Sequence, residues 1–380
     1  MTVDSSGEQL LKRFRAEMGL FAAIATALAF MRFGESWLGE LSSDLQGAFL
    51  FAWIFGVMMW GSFGVVRHAE ALAAKLGEPY GTLILTLSVI TIEVALISAV
   101  MLTGSENPTL GRDMMFSVLM IVLNGMVGLS LLLGGFRHVE QSFNLQGANA
   151  FLAVLTPLAV LSLILPNFTQ STPDPSFTVP QSEFLVVVTL GLYGVFLAMQ
   201  TVRHREYFTA PERASWSGEE HPDHEREGAA IHSLPFHVAM LFGYMIPIVL
   251  LSKKLAVIID FGIAEVGAPA AFGGLVVAVL VLAPELITAL RAALANQLQR
   301  SINISLGSAL ATIGLTVPAV LVIGIVTKNE VVLGLSPVET LMLCLTLFVS
   351  FINLSGGRSN VMQGVIHLIL FAAYIVLLFD

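Results

Sequence analysis

Eleven apolar stretches, most of them long enough to cross a bilayer, recur along this chain at roughly 18–33, 46–66, 80–102, 114–134, 148–166, 184–202, 234–251, 266–290, 302–326, 336–354 and 361–379. A backbone inside hydrocarbon must satisfy its own N–H and C=O groups, which leaves helices and closed barrels. Barrel strands alternate apolar and polar residues, and these stretches do not, so they predict transmembrane helices. The composition agrees: 380 residues, 56% apolar and only 12% charged, with a mean hydropathy of +0.84, exclude an ordinary soluble enzyme. The expected fold class is an all-α polytopic membrane protein of about 11 transmembrane helices.

Residues 203–232 form the one long polar stretch, and five of the eight histidines lie in or just beyond it. The expected organisation is a tail and leading helix over 1–45, a five-helix block over 46–202, an acidic, histidine-rich hinge loop over 203–232, and a second five-helix block over 233–380. Met1 to Glu17 lacks a short apolar core followed by a cleavage site, so no cleaved signal peptide is expected. The single cysteine, Cys344, excludes an internal disulfide. With the N-terminus in the cytoplasm, thirteen Lys and Arg fall on that side, against Arg32, Arg112, Lys253, Lys254 and Lys328 opposite. That bias predicts a membrane protein with its N-terminus inside and its C-terminus outside.

Two stretches each carry one carboxylate near the middle: Glu93 in 80–102 and Glu285 in 266–290. A charge at membrane depth is disfavoured by several kcal/mol unless it meets a partner or a wet cavity, so both acids are functional candidates. They also hold the same place, the second helix of each five-helix block, and helices five apart must cross in opposite senses. This is the sequence pattern of two inverted-topology repeats in a secondary transporter.

Around these acids the polar groups are oxygen-bearing. Thr82 and Thr86 share a helical face with Glu93, and Thr288 is one turn beyond Glu285. Pro284 has no N–H, so the Leu280 carbonyl loses its helical donor and becomes available to a cation or to an ordinary proline kink. Ser301, Ser305, Ser308 and Thr312 form one stripe; Ser117, Asn124, Gly128 and Gly135 form another. Close helix packing is the expected role for most of these small residues. Carboxylates, hydroxyls and carbonyls suit Na⁺, K⁺ or Ca²⁺ rather than soft metals. Two acids sharing a site cannot both stay ionised without a counter-charge, so the site would hold either a cation or protons. Alternating access then gives antiport.

The chain resembles the calcium/cation:proton exchangers of the calcium:cation antiporter superfamily, in their bacterial ChaA-like branch. The resemblance rests on Ala69-Glu70-Ala71-Leu72-Ala73, on Leu76-Gly77-Glu78-Pro79-Tyr80-Gly81-Thr82, on Glu93 and on Leu123-Asn124-Gly125. In the second half it rests on Pro284-Glu285, Ser305-Leu306-Gly307-Ser308-Ala309, Thr316-Val317-Pro318 and Gly357-Arg358-Ser359-Asn360. It implies eleven helices, a separate first helix, two inverted halves, an ion site built on the two acids, and Asn124 and Ser308 lining that site. The family often carries Gly-Asn before each acid, where this chain has Val89-Ile90 and Val281-Leu282, and an acid where it has Gln363. Several calcium ligands are thus missing, which keeps Na⁺ or K⁺ beside Ca²⁺ as the expected cargo.

The expected ion-binding set is Glu93, Glu285, Asn124, Ser308, Thr86, Thr312 and the Leu280 carbonyl, with the two glutamates as metal ligands. The expected partners are the lipid bilayer, inorganic cations and protons, with no nucleic acid and no resident cofactor. A passive cation channel would share the polar stripes but would not require titratable acids in matching places. No His-Glu-x-x-His, Gly-x-Ser-x-Gly or phosphate-binding lysine loop supports an enzyme. The His-rich hinge reads as a solvated linker, with sensing of Ca²⁺, other metals or pH as the alternative, since its spacing fits neither a calcium loop nor a zinc pattern. Arg67, His68, Arg137 and His138 read as headgroup anchors at helix ends, with proton entry through the two histidines as the alternative, and Asn353 and His367 as helix–helix hydrogen-bonding groups.

Overall fold

The structure, a computed structural model, describes residues 17–39, 44–76, 80–102, 108–211 and 233–379; the side chains at 44, 80–83, 85–86, 99–100 and 102 lie outside the description. Eleven long helices are present among the described residues. They are α1 (Met18–Gly39), α2 (Asp44–Leu76), α3 (Tyr80–Leu102), α4 (Leu110–His138), α5 (Leu145–Phe168) and α6 (Val179–Arg203). After the hinge come α7 (Leu234–Val266), α8 (Ala271–Leu294), α9 (Leu298–Thr327), α10 (Pro337–Asn353) and α11 (Val361–Leu377). Eight of them are long and apolar enough to cross a membrane. Of the expected hinge, residues 203–211 end α6 and form the short turn Arg205–Phe208, whereas 212–232 lie outside the described residues.

Helix starts are set by local chemistry. Ser336 caps α10 by accepting from the Glu339 N–H, Glu339 reaches back to the Ser336 N–H, and Pro337 occupies the first turn. Asn360 and Gln363 do the same for α11. Gly267 closes α7 in the left-handed region at φ 67°, where a side chain would be strained.

The helices form two compact units: α1–α3 with α7, and α4–α6 with α8–α11. This partition cuts across the two five-helix blocks. In the four-helix unit α2 and α7 pack antiparallel, Gly47 lying against Phe261 and Gly61 against Ile248. Both are 33 residues long, about 50 Å at 1.5 Å per residue, and so outrun the apolar stretches 46–66 and 234–251. Lys253 and Lys254 are therefore inside α7 and not in a loop. The charged ends remain helical because helix needs only satisfied backbone bonds and good helix formers, not apolarity.

In the seven-helix unit the loops sort to two ends. At one end β1 (Gln141–Ser142) pairs antiparallel with β2 (Arg358–Ser359), joining the α4–α5 and α10–α11 loops. The same end holds the start of α9, where Asn303 Nδ2 donates to the Phe208 carbonyl at 2.7 Å, and the end of α8, where the Leu294 carbonyl is 2.9 Å from His138 Nε2. At the other end the Val332 N–H donates to the Pro108 carbonyl, and the Gly334 N–H to the Pro175 carbonyl, both at 3.0 Å. Hence α4, α6, α8 and α10 start at one end, and α5, α9 and α11 at the other. Helices in matching places of the two blocks (α4 and α9, α5 and α10, α6 and α11) run in opposite senses, as α2 and α7 do.

Candidate functional site

Glu285 is residue 15 of the 24 in α8, about 21 Å along the helix. Glu93 is residue 14 of the 23 in α3, about 20 Å along. The two acids thus sit at matching depth in helices of matching place, one in each compact unit. Glu93 is buried at 1% exposure within the four-helix unit, where α3 packs on α2 and α7. Glu285 is half-buried and accepts a 2.7 Å hydrogen bond from Ser308 Oγ of α9. A bond from a hydroxyl to an ionised carboxylate is of the stronger class, and it fixes the rotamer of both groups. Ser308 also keeps accessible surface, as a site that loads and unloads ions requires.

Several hydroxyls near the acids donate to their own helix. Ser88 bonds the Ile84 carbonyl at 2.6 Å, Thr91 the Leu87 carbonyl at 2.6 Å, and Thr288 the Pro284 carbonyl at 2.9 Å. With the proton so committed, the oxygen lone pairs face outward and can still meet a cation. Pro284 is inside α8, one turn after the fully buried Leu280, whose carbonyl it deprives of a donor. Thr312 is buried one turn beyond Ser308. The side chain of Thr86 lies outside the described residues.

Asn124 is fully buried on α4, and its Nδ2 donates to Thr346 Oγ1 of α10 at 2.8 Å. Its Oδ1 is 3.3 Å from His367 Nδ1 of α11, so His367 does bridge helices. Asn124 is therefore anchored on the α10–α11 side, while Ser308 and Glu285 meet between α8 and α9. The rest of its stripe is packing: Gly128 lies against His367 and Leu368, Gly135 against Val361, and Ser117 Oγ is 2.8 Å from Tyr374 Oη. Gln363, at the position where the family often has an acid, is held by the α11 cap and by a 2.8 Å bond to the Asn353 carbonyl.

Three features went unread in the sequence. A π-helical turn at Ile121–Met126 contains Asn124, and another at Thr312–Thr316 begins with Thr312, so α4 and α9 are interrupted in matching places. Such turns free backbone groups and gather at functional sites. The second feature is Asp113, buried at the start of α4 and paired with Arg112 Nη2 at 2.7 Å. Its Thr109 and Arg112 partners make it part of the α4 entry. The third is His68, expected as a headgroup anchor, which is 3% exposed and faces His237 of α7. Because α2 continues to Leu76, His68 lies two turns inside the helix and not at its end.

On the expectation that Ser308 lines a cation site, Ser308→Ala should raise the cation concentration for half-maximal exchange by about ten- to a hundredfold, since a hydrogen bond to a charged group contributes about 1.5–3 kcal/mol. Turnover at saturating cation should change little. Titrating the initial rate against cation concentration separates the two.

A family model described as sodium/calcium exchanger protein matches residues 46–202 and 236–379, one stretch in each block. The sodium-potassium/proton antiporter ChaA of Escherichia coli (strain K12) is 39% identical over 376 residues, 99% of this chain and 100% of that one. Among solved structures, native YfkE superposes with a TM-score of 0.71 at 18% identity, covering 95% of this chain and 99% of that one. The H⁺/Ca²⁺ exchanger CAX superposes with a TM-score of 0.65 at 12% identity, covering 95% of this chain and 88% of that one. At these identities the two structures speak to the fold alone.

Proposed function

Because this chain belongs to the sodium/calcium exchanger protein family, a family of multi-pass membrane transporters, we propose that it exports Na⁺ or K⁺ in exchange for inward protons. Glu285 carries the reading: a largely buried carboxylate at mid-helix, held by Ser308, at the place in the second block that Glu93 occupies in the first. In this proposal the blocks are inverted repeats, and the ion-binding groups are Glu93 and Thr86 in one unit and Glu285, Ser308, Asn124, Thr312 and the Leu280 carbonyl in the other. Opposite senses of the matching helices support the repeat, and the paired π turns near Asn124 and Thr312 support oxygen-lined gaps beside it.

Alternating access then proceeds by competition. A cation offsets the carboxylate charge on one side, and two protons displace it on the other, so one net positive charge enters for each Na⁺ or K⁺ exported. One charge moving through 100 mV is worth about 2.3 kcal/mol, enough for inward protons to drive export. The proposed setting is a bacterial inner membrane, N-terminus inside. The E. coli relative is a sodium-potassium/proton antiporter, and the Val89-Ile90 and Val281-Leu282 pairs offer no side-chain oxygens, both of which favour monovalent cargo over Ca²⁺.

The test is a proteoliposome with an imposed pH gradient, given Na⁺, K⁺ and Ca²⁺ in turn. Na⁺ or K⁺ should collapse the gradient, with Ca²⁺ the weakest. Cation flux without proton movement would mean a channel and overturn the exchange reading. Collapse by Ca²⁺ alone would overturn the monovalent one.

A further inference from the structure

Away from the carboxylates, the four-helix unit buries a second ionisable cluster. His68 of α2 and His237 of α7, 169 residues apart in sequence, place their Nδ1 atoms 3.0 Å from each other. Both rings are buried, with Phe236 packed edge-on against them. On its other face His68 Nε2 is 3.4 Å from Glu17 Oε2, just before α1, and 3.4 Å from Arg67 Nη2. Glu17 Oε2 also accepts from Arg67 Nη2 at 2.7 Å and from Tyr244 Oη at 2.9 Å. Burial alone would raise the Glu17 carboxyl, but the bond from His68, the Arg67 charge and the Tyr244 hydroxyl hold it below its ordinary value. Glu17 is thus an anion at neutral pH. α3 also packs on α2 and α7, and its titratable group among the described residues is Glu93.

The geometry points to a second proton-binding site, in which His68 and His237 share one proton between their Nδ1 atoms and take up a second that His68 passes to Glu17 as an N–H bond. Two imidazole nitrogens at 3.0 Å need one proton between them, because two lone pairs or two N–H groups facing each other repel. In the neutral pair, one tautomer leaves His68 Nε2 without a hydrogen to offer Glu17. The other gives Glu17 its hydrogen but turns an N–H toward Arg67. A further proton on His68 keeps both bonds, Nδ1–H donating to His237 and Nε2–H to Glu17, and sets a cation against the Glu17 anion, which neither neutral tautomer does. The half-exposed Arg67 side chain can yield, since water screens it. Protonation ties the residue before α1, the last third of α2 and the start of α7 together. Under the proposed alternating-access reading, that braces the unit and slows exchange on acidification of this face.

Two measurements test it. In ¹⁵N-histidine-labelled protein in lipid, magnetic resonance should show an N–H···N coupling between two imidazoles, lost in both His68→Gln and His237→Gln. Absence of that coupling in the native protein overturns the site. In proteoliposomes, the pH–rate curve of either variant should move toward acid by about one unit relative to the native protein, with the best rate kept within about twofold. Superimposable curves overturn the link to exchange. The resonance measurement needs no transport, so failure of the antiport reading and failure of this site are told apart.

Discussion

Glutamine in place of Glu285 should reduce cation–proton exchange by about a thousandfold and leave a folded protein. A cation about 4 Å from one carboxylate, in surroundings of effective dielectric near 20, gains about 4 kcal/mol, which is about three decades in binding. Glutamine keeps the volume and can still accept from Ser308 Oγ, so the 2.7 Å contact is not the loss being measured. Stability should hold or rise, because a neutral amide replaces a carboxylate at membrane depth. Glu93→Gln should behave alike, since Glu93 is buried at 1% exposure and its charge is costly unless something compensates it. Cation-dependent dissipation of a pH gradient in everted vesicles reads the activity, and a monodisperse elution profile reads the fold. Native exchange in either folded variant removes that carboxylate from the site.

How much of this was legible in the sequence depends on the range of the interaction. The helices and their two mid-span acids were legible, because hydropathy and a lone charge are local. The likeness of α3 to α8 followed from counting segments. The ends of α2 and α7 were not legible, since a hydropathy criterion stops at Arg67 or Lys253 while the helical backbone does not. The π turns in α4 and α9 were hidden because Ile-Val-Leu-Asn-Gly-Met and Thr-Ile-Gly-Leu-Thr read as ordinary apolar helix. Ser308 was singled out through its motif and does meet Glu285. Asn124 was singled out in the same way, yet its amide is held by Thr346 and His367, contacts spanning more than 200 residues. His68 was misread as an anchor because its partner, His237, lies beyond the hinge. Pairing across that distance leaves no periodic trace in the chain.

The stripe of small residues on α4 leads to the second large effect. Gly364 of α11 lies so close to α4 that a methyl group there would be 2.5 Å from the Leu132 nitrogen and 2.8 Å from the Gly128 carbonyl oxygen. Both obstacles are backbone inside a helix, so no rotamer change relieves them and α11 must move away. That movement would pull His367 from Asn124 and Tyr374 from Ser117. Overpacking typically costs about 1–3 kcal/mol, and a clash with backbone belongs at or above the top of that range. Gly364→Ala should therefore lower the melting temperature in detergent by several degrees and reduce exchange even at saturating cation. Gly191 of α6 is the control, since nothing lies within 4 Å of a methyl added there. Alanine exceeds glycine in helix propensity by about 1 kcal/mol, so Gly191→Ala should be neutral or stabilising. Equal melting temperatures for the two variants would show that α11 is not seated on α4 through that glycine. A fall confined to Gly364→Ala, with a rise for Gly191→Ala, would show that the small side chain serves contact in one helix and nothing in the other.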